Sequence, residues 1–347
     1  MATVINIISG KGGTGKTLLT AVFAEMLGSK GENVLVVDLD VFVRGLTALL
    51  YYKRNKSLKI ADSDCSTVSE FFKSKGEFCD NKAYISKYSS FDVFPSVSSV
   101  VEKLNFRDVM PKSFDEAVNI LKAMLGSIPH EYEFIFLDSR AGYDELIAAS
   151  HSVSDFSICV EEDDDISMIT AKNLIAQLEN DKNNEKNKQI FRIKNKTRKT
   201  KRVSSDDSSD VFYLGSIPFD TDVMNSFGTE DFWDDIAKSL YKEAAIEVWN
   251  NLADKMELSV KLRSRRISPL GSSMLDKRMS MLGARNRILF VFGTLITTLS
   301  VMMLIYSPFF WDSWEGLYID PFRLVVMIMA LTGIFLVVYS VLRNNKN

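Results

Sequence analysis

The sequence predicts an α/β fold with a doubly wound, mostly parallel sheet, followed by a C-terminal transmembrane hairpin of two helices. Three observations support this prediction. Short apolar, β-branched runs alternate with helical patterns, which is typical of a parallel sheet covered on both faces. A glycine-rich loop lies between the first predicted strand and the first predicted helix. Near the C-terminus, two long runs contain no charged residue.

The predicted strands are short, apolar and separated by helical patterns. They are Ala2–Ile8, Val34–Val37, Phe91–Phe94, Phe134–Leu137, Phe156–Val160, the more polar Ile190–Ile193, and Val211–Leu214. Helical patterns occur at Leu18–Leu27, Ser113–Leu125, Ser167–Glu179 and Asp231–Leu262. Ligands of open parallel sheets bind beyond the carboxyl ends of the strands. Residues that directly follow a strand are therefore candidate site residues.

The glycine-rich loop carries the strongest local signal. Its residues Gly10–Thr17 satisfy G-x-x-x-x-G-K-[ST] between a strand and a helix. The backbone N–H groups of such a loop and the helix N-terminus together cradle phosphates. Lys16 is expected to neutralise the β- and γ-phosphates, and Thr17 to hold Mg²⁺. The sequence therefore predicts a P-loop NTPase whose phosphate-binding residues are Gly12, Gly13, Thr14, Gly15, Lys16 and Thr17.

A second lysine in the loop, Lys11, narrows the class of P-loop protein that the sequence indicates. The sequence from Lys11 to Thr17 resembles the loop of the MinD/ParA family of dimerising ATPases. Other segments also resemble the family. Val37–Asp40 and Arg44–Thr47 resemble its first switch, and Phe134–Gly142 resembles its Walker B strand and second switch. Two further matching segments are Phe94–Ser96 and Leu214–Asp220. The resemblance covers about residues 1–255. Arg140 departs from it, since proline is common at that position.

The resemblance implies a mechanism in which two ATP-bound subunits face each other. Lys11 would contact the phosphates in the partner's site. Asp40 would orient or activate the attacking water. Asp38 and Asp138 would lie near Mg²⁺, either directly or through its water shell. For Asp38 and Asp40, the alternative is a helix cap or a turn pair.

Residues 180–210 are polar and low in complexity. The resemblance implies that Asn195, within this segment, reads the adenine base, and that Pro218, beyond it, also binds the nucleotide. The segment contains a basic block of Lys194, Lys196, Arg198, Lys199, Lys201 and Arg202. A nucleic-acid patch and a solvated loop both fit this block, and the loop is favoured.

The two uncharged runs, Ile288–Ser307 and Leu324–Leu342, are each long enough to cross a hydrocarbon core about 30 Å thick as a helix. A pair of buried core helices is the alternative. Cations precede the first run and follow the second, whereas the connection Pro308–Arg323 carries three acidic residues and a single cation. The positive-inside rule places the ATPase domain and both termini in the cytoplasm, with the chain integral to a bacterial inner membrane.

Composition argues against several other classes. The formal net charge is only −3, and the three cysteines form no C-x-x-C pair, so neither a disulfide framework nor a structural zinc site is expected. The N-terminus becomes polar within ten residues, and no signal peptide is expected.

The predicted organisation is an ATPase domain over residues 1–255, a basic juxtamembrane linker over 256–286 and the hairpin over 287–343. We expect a slow ATPase that forms a homodimer on ATP binding and recruits, positions or regulates an unidentified protein partner at the membrane. One alternative is an ATP-gated membrane scaffold or effector, for example in bacterial defence or secretion. A tyrosine-kinase-like enzyme is disfavoured, because its spans would precede the ATPase and its tail would be rich in tyrosine.

Overall fold

The structure is a computed structural model with two compact units, Met1–Arg265 and Arg266–Asn347. Every strand and helix named below lies in the first unit. The described residues are 2–53, 57–60, 66–76, 83–181, 188–197, 212–263, 294–299, 326, 329–332 and 334.

A single eight-stranded sheet organises the described part of the first unit. Its strands are β1 Thr3–Ser9, β2 Val34–Asp38, β3 Ser86–Lys87, β4 Asp92–Phe94, β5 Phe134–Ala141, β6 Phe156–Glu162, β7 Ile190–Thr197 and β8 Tyr213–Pro218. Their spatial order is β3-β4-β2-β5-β1-β6-β7-β8. Neighbouring strands are parallel, except that β3 is antiparallel to β4. The predicted α/β fold with a mostly parallel sheet is confirmed.

Helices cover both faces of the sheet. They are α1 Lys16–Gly28, α2 Gly45–Lys53, α3 Val68–Lys73, α4 Phe106–Val109, α5 Phe114–Gly126, α6 Glu145–Val153, α7 Asp165–Asn180, α8 Thr221–Ser226, α9 Phe232–Lys238 and α10 Leu240–Lys255. One apolar core packs α1, α2 and α10 on one face, around Phe23, Phe136 and Trp249. A second core packs α3, α5 and α6 on the other face. Because both faces are covered, the central strands read as continuous apolar runs.

Several segments differ from the sequence prediction, and two of the strands, β5 and β8, continue beyond their predicted ends to Ala141 and Pro218. The helical pattern over Asp231–Leu262 is divided at Ser239, whose hydroxyl accepts a hydrogen bond from the backbone N–H of Lys242 at 3.2 Å and so caps α10. The strand predicted over Ile190–Ile193 continues to Thr197, since it stays paired with β6 as far as Asn195. Asn195 therefore lies in a strand.

The predicted transmembrane hairpin falls almost wholly outside the described residues, which include only 294–299 of the first run and 326, 329–332 and 334 of the second. In the described part of the chain, no helix combines the length and the apolar character needed to cross a bilayer.

Candidate functional site

The phosphate loop connects β1 to α1, and two of its glycines are required by their surroundings. A Cβ atom on Gly10 would lie 2.3 Å from the backbone carbonyl carbon of Thr170 in α7. Gly15 has a φ of +88°, and a Cβ there would lie 2.4 Å from Nδ2 of Asn195. Only glycine fits such a close approach or adopts a left-handed backbone without strain. These contacts fix the loop between α7 and β7.

Lys16, the first residue of α1, places its ammonium group above the end of β1. Its Nζ donates a hydrogen bond to Oγ of Ser9 at 2.9 Å, and the Ser9 hydroxyl donates to the carbonyl oxygen of Lys11 at 2.7 Å. Burial lowers the pKa of Lys16. An ammonium group that has lost much of its hydration interacts strongly with anionic phosphates.

Asp138 lies beneath the first turn of α1, as predicted from its place near the end of a strand. Its carboxylate accepts hydrogen bonds from Oγ1 of Thr17 at 2.8 Å and from Oγ1 of Thr20 at 3.2 Å. Burial raises the pKa of Asp138 to about 6. Thr17 and Asp138, both predicted as metal ligands, are thus in direct contact.

Asp38 is paired with Asp138 across adjacent strands β2 and β5. Its Oδ2 accepts hydrogen bonds from the backbone N–H and the hydroxyl of Thr47, at 2.8 and 2.7 Å. Its Oδ1 is buried and has no hydrogen-bond partner among the described residues. Burial, and the nearby charge of Asp138, raise the pKa of Asp38 to about 7. A buried carboxylate oxygen without a partner, close to a second carboxylate and a threonine hydroxyl, fits the all-oxygen donor set that Mg²⁺ prefers.

Asp40 lies in the loop between β2 and α2. Its Oδ1 accepts hydrogen bonds from the backbone N–H groups of Phe42 and Val43, at 3.4 and 3.0 Å. These hydrogen bonds give Asp40 the turn-forming role that the sequence offered as the alternative to a catalytic role. Asp40 also lines the nucleotide cavity defined below, so its carboxylate has access to a bound substrate.

One cavity of about 610 Å³ is lined by six of the twelve predicted site residues; we call it the nucleotide cavity. It is lined by Gly12, Gly13, Gly15, Lys16, Thr17, Leu18, Asp40, Phe42, Val43, Phe106, Ser139, Arg140, Ala141, Lys196, Met224 and Phe227. Its volume is in the range of small-molecule sites. Thr14 is buried, and the other predicted residues that are not among the lining residues are Lys11, Asp38, Asp138, Asn195 and Pro218.

Lys11 is held beside acidic residues at the end of β6. Its Nζ lies 2.9 Å from Oε2 of Glu162 and 3.0 Å from Oδ2 of Asp164. These contacts, that with Glu162 first, raise the pKa of Lys11. Glu162 also pairs with Lys196, at 3.3 Å. The acidic run after Val160 is visible in the sequence, but its pairing with the loop lysine was not predicted.

Asn195 is buried below the phosphate loop. Its Nδ2 donates to the carbonyl oxygen of Thr14 at 2.8 Å, and its Oδ1 accepts from the backbone N–H of Lys196 at 3.0 Å. Lys196 has a φ of +56°, an uncommon value for a residue other than glycine. Its Nζ donates to the carbonyl oxygen of Gly13. Pro218 pairs with Thr197 in the neighbouring strand, so it lies at the same edge of the sheet.

Arg140, at the end of β5, lines the nucleotide cavity and contacts two other segments of the chain. Its guanidinium group pairs with Asp144 at 3.2 Å and lies 5.7 Å from the ring centroid of Phe106. The Phe106 ring in turn stacks on Phe42 in the loop between β2 and α2, with a centroid separation of 5.4 Å. Sequence reasoning singled out Arg140 as a departure from the family but missed both phenylalanines.

The chain is similar in sequence to a family of AAA domains and to known MinD proteins. A family model described as an AAA domain, AAA_31, matches residues 2–191. The septum site-determining protein MinD of Escherichia coli K12 is 28% identical over 145 residues, which are 41% of this chain and 46% of that relative. The chain therefore spans about half the length of the curated relative it matches.

Two solved structures share the fold. One is a plasmid partition protein of Borrelia burgdorferi B31 bound to AMPPNP, with a TM-score of 0.58 and 20% identity, over 74% of this chain and all of that one. The other is MinD of Pyrococcus horikoshii complexed with Mg-ADP, with a TM-score of 0.55 and 21% identity, over 76% of this chain and all of that one. At such identities the likeness shows the fold, which is that of a MinD/ParA-like P-loop protein.

Proposed function

Because this chain belongs to the AAA_31 family of AAA domains, we propose that it binds ATP with Mg²⁺, hydrolyses ATP and acts as a nucleotide-dependent dimer switch that recruits, positions or regulates a protein partner. One observation carries the proposal. The phosphate loop and the switch carboxylate Asp40 line a single cavity. Directly behind the loop lie the bonded pair Thr17–Asp138 and the unpartnered oxygen of Asp38.

Thr17, Asp38 and Asp138 would hold Mg²⁺ directly or through its water shell. When bound, the ion supplies positive charge that neutralises charge developing on the β- and γ-phosphates. Lys16 adds a second positive charge from the first turn of α1, and the loop N–H groups position the phosphates. Asp40 would orient the attacking water, because it is the switch carboxylate that lines the nucleotide cavity.

Asn195 and Pro218 are proposed to lie on the adenine side of the site. Their support is positional, because β7 and β8 end beside the phosphate loop and Asn195 contacts Thr14 within it. The contact also gives Asn195 a second role, since it holds the loop backbone in place.

The rim of the nucleotide cavity supports dimerisation. Phe42, Val43 and Phe106 line this cavity and are 37%, 76% and 54% exposed. An exposed apolar group beside a ligand site is typical of an interaction surface. A second copy facing this rim would cover these side chains and bring its own Lys11 close to the bound phosphates, once Lys11 leaves Glu162 and Asp164.

A Lys11→Ala variant tests this arrangement. We expect ATP turnover to fall by about 10³-fold, the scale of a cation supplied by a partner subunit in phosphoryl transfer. ATP affinity of the monomer should stay within about threefold, because Lys11 lies outside the nucleotide cavity. Phosphate release and equilibrium ATP binding measure the two effects.

The matched control for Lys11→Ala is Glu162→Gln, which removes one of the two ion pairs of Lys11, leaves the pair with Asp164 and keeps the lysine. Its turnover should not fall. If Lys11→Ala turned over ATP at the normal rate, or if Glu162→Gln were equally impaired, the proposed role of Lys11 in the partner's site would be wrong.

We further propose that the ATPase domain is anchored by two C-terminal spans with both termini in the cytoplasm. The support comes from the sequence, in the two uncharged runs and the excess of cations on their flanks. A permanently anchored protein does not leave the membrane when ATP is hydrolysed. ATP would therefore change dimerisation or partner binding while the protein stays in the membrane.

Removal of residues 286–347 tests the anchor. The shortened chain should stay in the supernatant after membranes are sedimented and should retain ATPase activity, because the site residues lie before residue 220. Full-length Lys16→Ala serves as the control and should sediment with the membranes. Sedimentation of the shortened chain with membranes would show that another segment binds lipid.

A further inference from the structure

A second cavity, of about 640 Å³, shares none of its described lining residues with the nucleotide cavity. We call it the aromatic cavity, because Tyr52, Tyr88 and Trp233 line it together with Glu230 and Lys53. Its residues come from the end of α2, the turn after β3, the loop between α8 and α9, and the start of α9. Nothing in the proposed ATPase mechanism uses it.

The rings of the aromatic cavity are held in place by specific contacts. Nε1 of Trp233 donates a hydrogen bond to the hydroxyl of Tyr88 at 3.3 Å, with ring centroids 6.0 Å apart. Gly228 has a φ of +85°, and a Cβ there would lie 3.0 Å from Cε2 of Tyr52. The Tyr52 side chain nevertheless remains 48% exposed. The cavity is therefore preformed, and part of its aromatic surface is open to a ligand.

Charge around the aromatic cavity favours a cationic ligand. The segment 228–235 contains Glu230, Asp231, Asp234 and Asp235 and no lysine, arginine or histidine. None of these four carboxylates forms an ion pair with a cation in the described part of the chain. Among the described lining residues, Glu230 and Lys53 are the charged ones, so the excess negative charge comes from the three adjacent aspartates and favours a cationic ligand.

The aromatic cavity already accommodates one ammonium group. Nζ of Lys53 lies 5.5 Å from the ring centroid of Tyr88, within the distance at which a cation is attracted to an aromatic face. Lys53 Nζ also donates to the backbone carbonyl of Lys87, at 2.9 Å. The remaining rings, Tyr52 and Trp233, can offer the same interaction to a cation from outside.

We propose that the aromatic cavity binds a basic peptide segment of a partner protein. An arginine or lysine side chain of that segment lies against Tyr52 and Trp233, and the neighbouring cations of the peptide pair with Glu230 and the adjacent aspartates. This inference goes beyond the proposed ATPase switch and does not depend on nucleotide binding. The cavity is nevertheless linked to the switch, because α2 begins with Gly45 beside Thr17 and ends with Lys53 in the cavity.

The test uses the full-length chain in detergent and a blocked, fluorescein-labelled peptide of alternating glycine and arginine. Fluorescence anisotropy should show saturable binding, and the glutamine analogue of the peptide should not bind. Trp233→Leu and Tyr52→Leu leave the charge unchanged and should each weaken binding by about 5- to 30-fold, the scale of a desolvated cation–π contact. Because Tyr52 is half exposed, Tyr52→Leu is expected to fold. It therefore tests the proposal even if Trp233→Leu does not fold. Glu230→Gln should weaken binding and reduce its salt dependence.

Several outcomes would overturn the proposal. These are a lack of saturable binding, equal binding of the glutamine peptide, or affinity unchanged by both aromatic substitutions, which would indicate charge attraction alone. Lys16→Ala should bind the arginine peptide normally. If Lys16→Ala lost peptide binding, the peptide would bind at the nucleotide site. If the unmodified chain bound the peptide but did not bind ATP, the ATPase proposal alone would be wrong.

Discussion

A Lys16→Ala variant is expected to lose about 30-fold or more in ATP affinity. Removing one partner of a buried, hydrogen-bonded charge contact costs about 2–5 kcal/mol, and about 1.4 kcal/mol corresponds to tenfold in affinity. Lys16 is the partly buried cation of the phosphate loop, placed by β1 and α1 at the wall of the nucleotide cavity. Equilibrium titration with a fluorescent ATP analogue measures the loss.

Lys172→Ala provides the matched control for Lys16→Ala. Lys172 lies exposed on α7, so its replacement changes the net charge equally but leaves the nucleotide cavity intact. Its affinity should equal that of the unmodified chain. Equal affinities for the Lys16 and Lys172 variants would mean that the triphosphate does not bind at this loop.

An Asp40→Ala variant is expected to bind ATP but to hydrolyse it about 10²- to 10⁴-fold more slowly, the contribution typical of a positioned acid–base group. Since hydrolysis ends the ATP-bound state, the ATP-bound dimer should persist. Phosphate release gives the rate, and light scattering during the reaction gives the lifetime of the dimer.

Asp40→Asn separates catalysis from turn formation. The amide oxygen of asparagine can still accept from the N–H of Val43, as Oδ1 of Asp40 does at 3.0 Å. The turn should therefore persist while the carboxylate is lost. Slow turnover in both variants supports a catalytic role, whereas normal turnover in Asp40→Asn would leave Asp40 with the turn role alone.

The sequence predicted the parts of the site that depend on local order along the chain. Gly10–Thr17 is recognisable as a phosphate loop because strand, loop and helix are consecutive. Asp38 and Asp138 are recognisable as candidate site residues because each follows a buried apolar run. Parallel strands end at one edge of a sheet, so these carboxylates could be expected to meet.

Contacts between distant segments could not be predicted in the same way. The ion pair from Lys11 to Glu162 joins the phosphate loop to the end of β6, and the contacts of Arg140 with Phe106 and of Phe106 with Phe42 join β5, α4 and the loop after β2. Asn195 lies in a polar stretch whose strand character comes from its pairing with β6, not from its own composition. Such pairings are tertiary effects that override local preference.

The most direct measurement is the oligomeric state of residues 1–265, the first compact unit, by light scattering with ADP, with ATP, and with ATP in the Asp40→Ala variant. The proposed switch predicts a monomer with ADP, a dimer with ATP, and a dimer that persists in the variant. A monomer under all three conditions would contradict the switch and would favour assembly driven by the C-terminal segment.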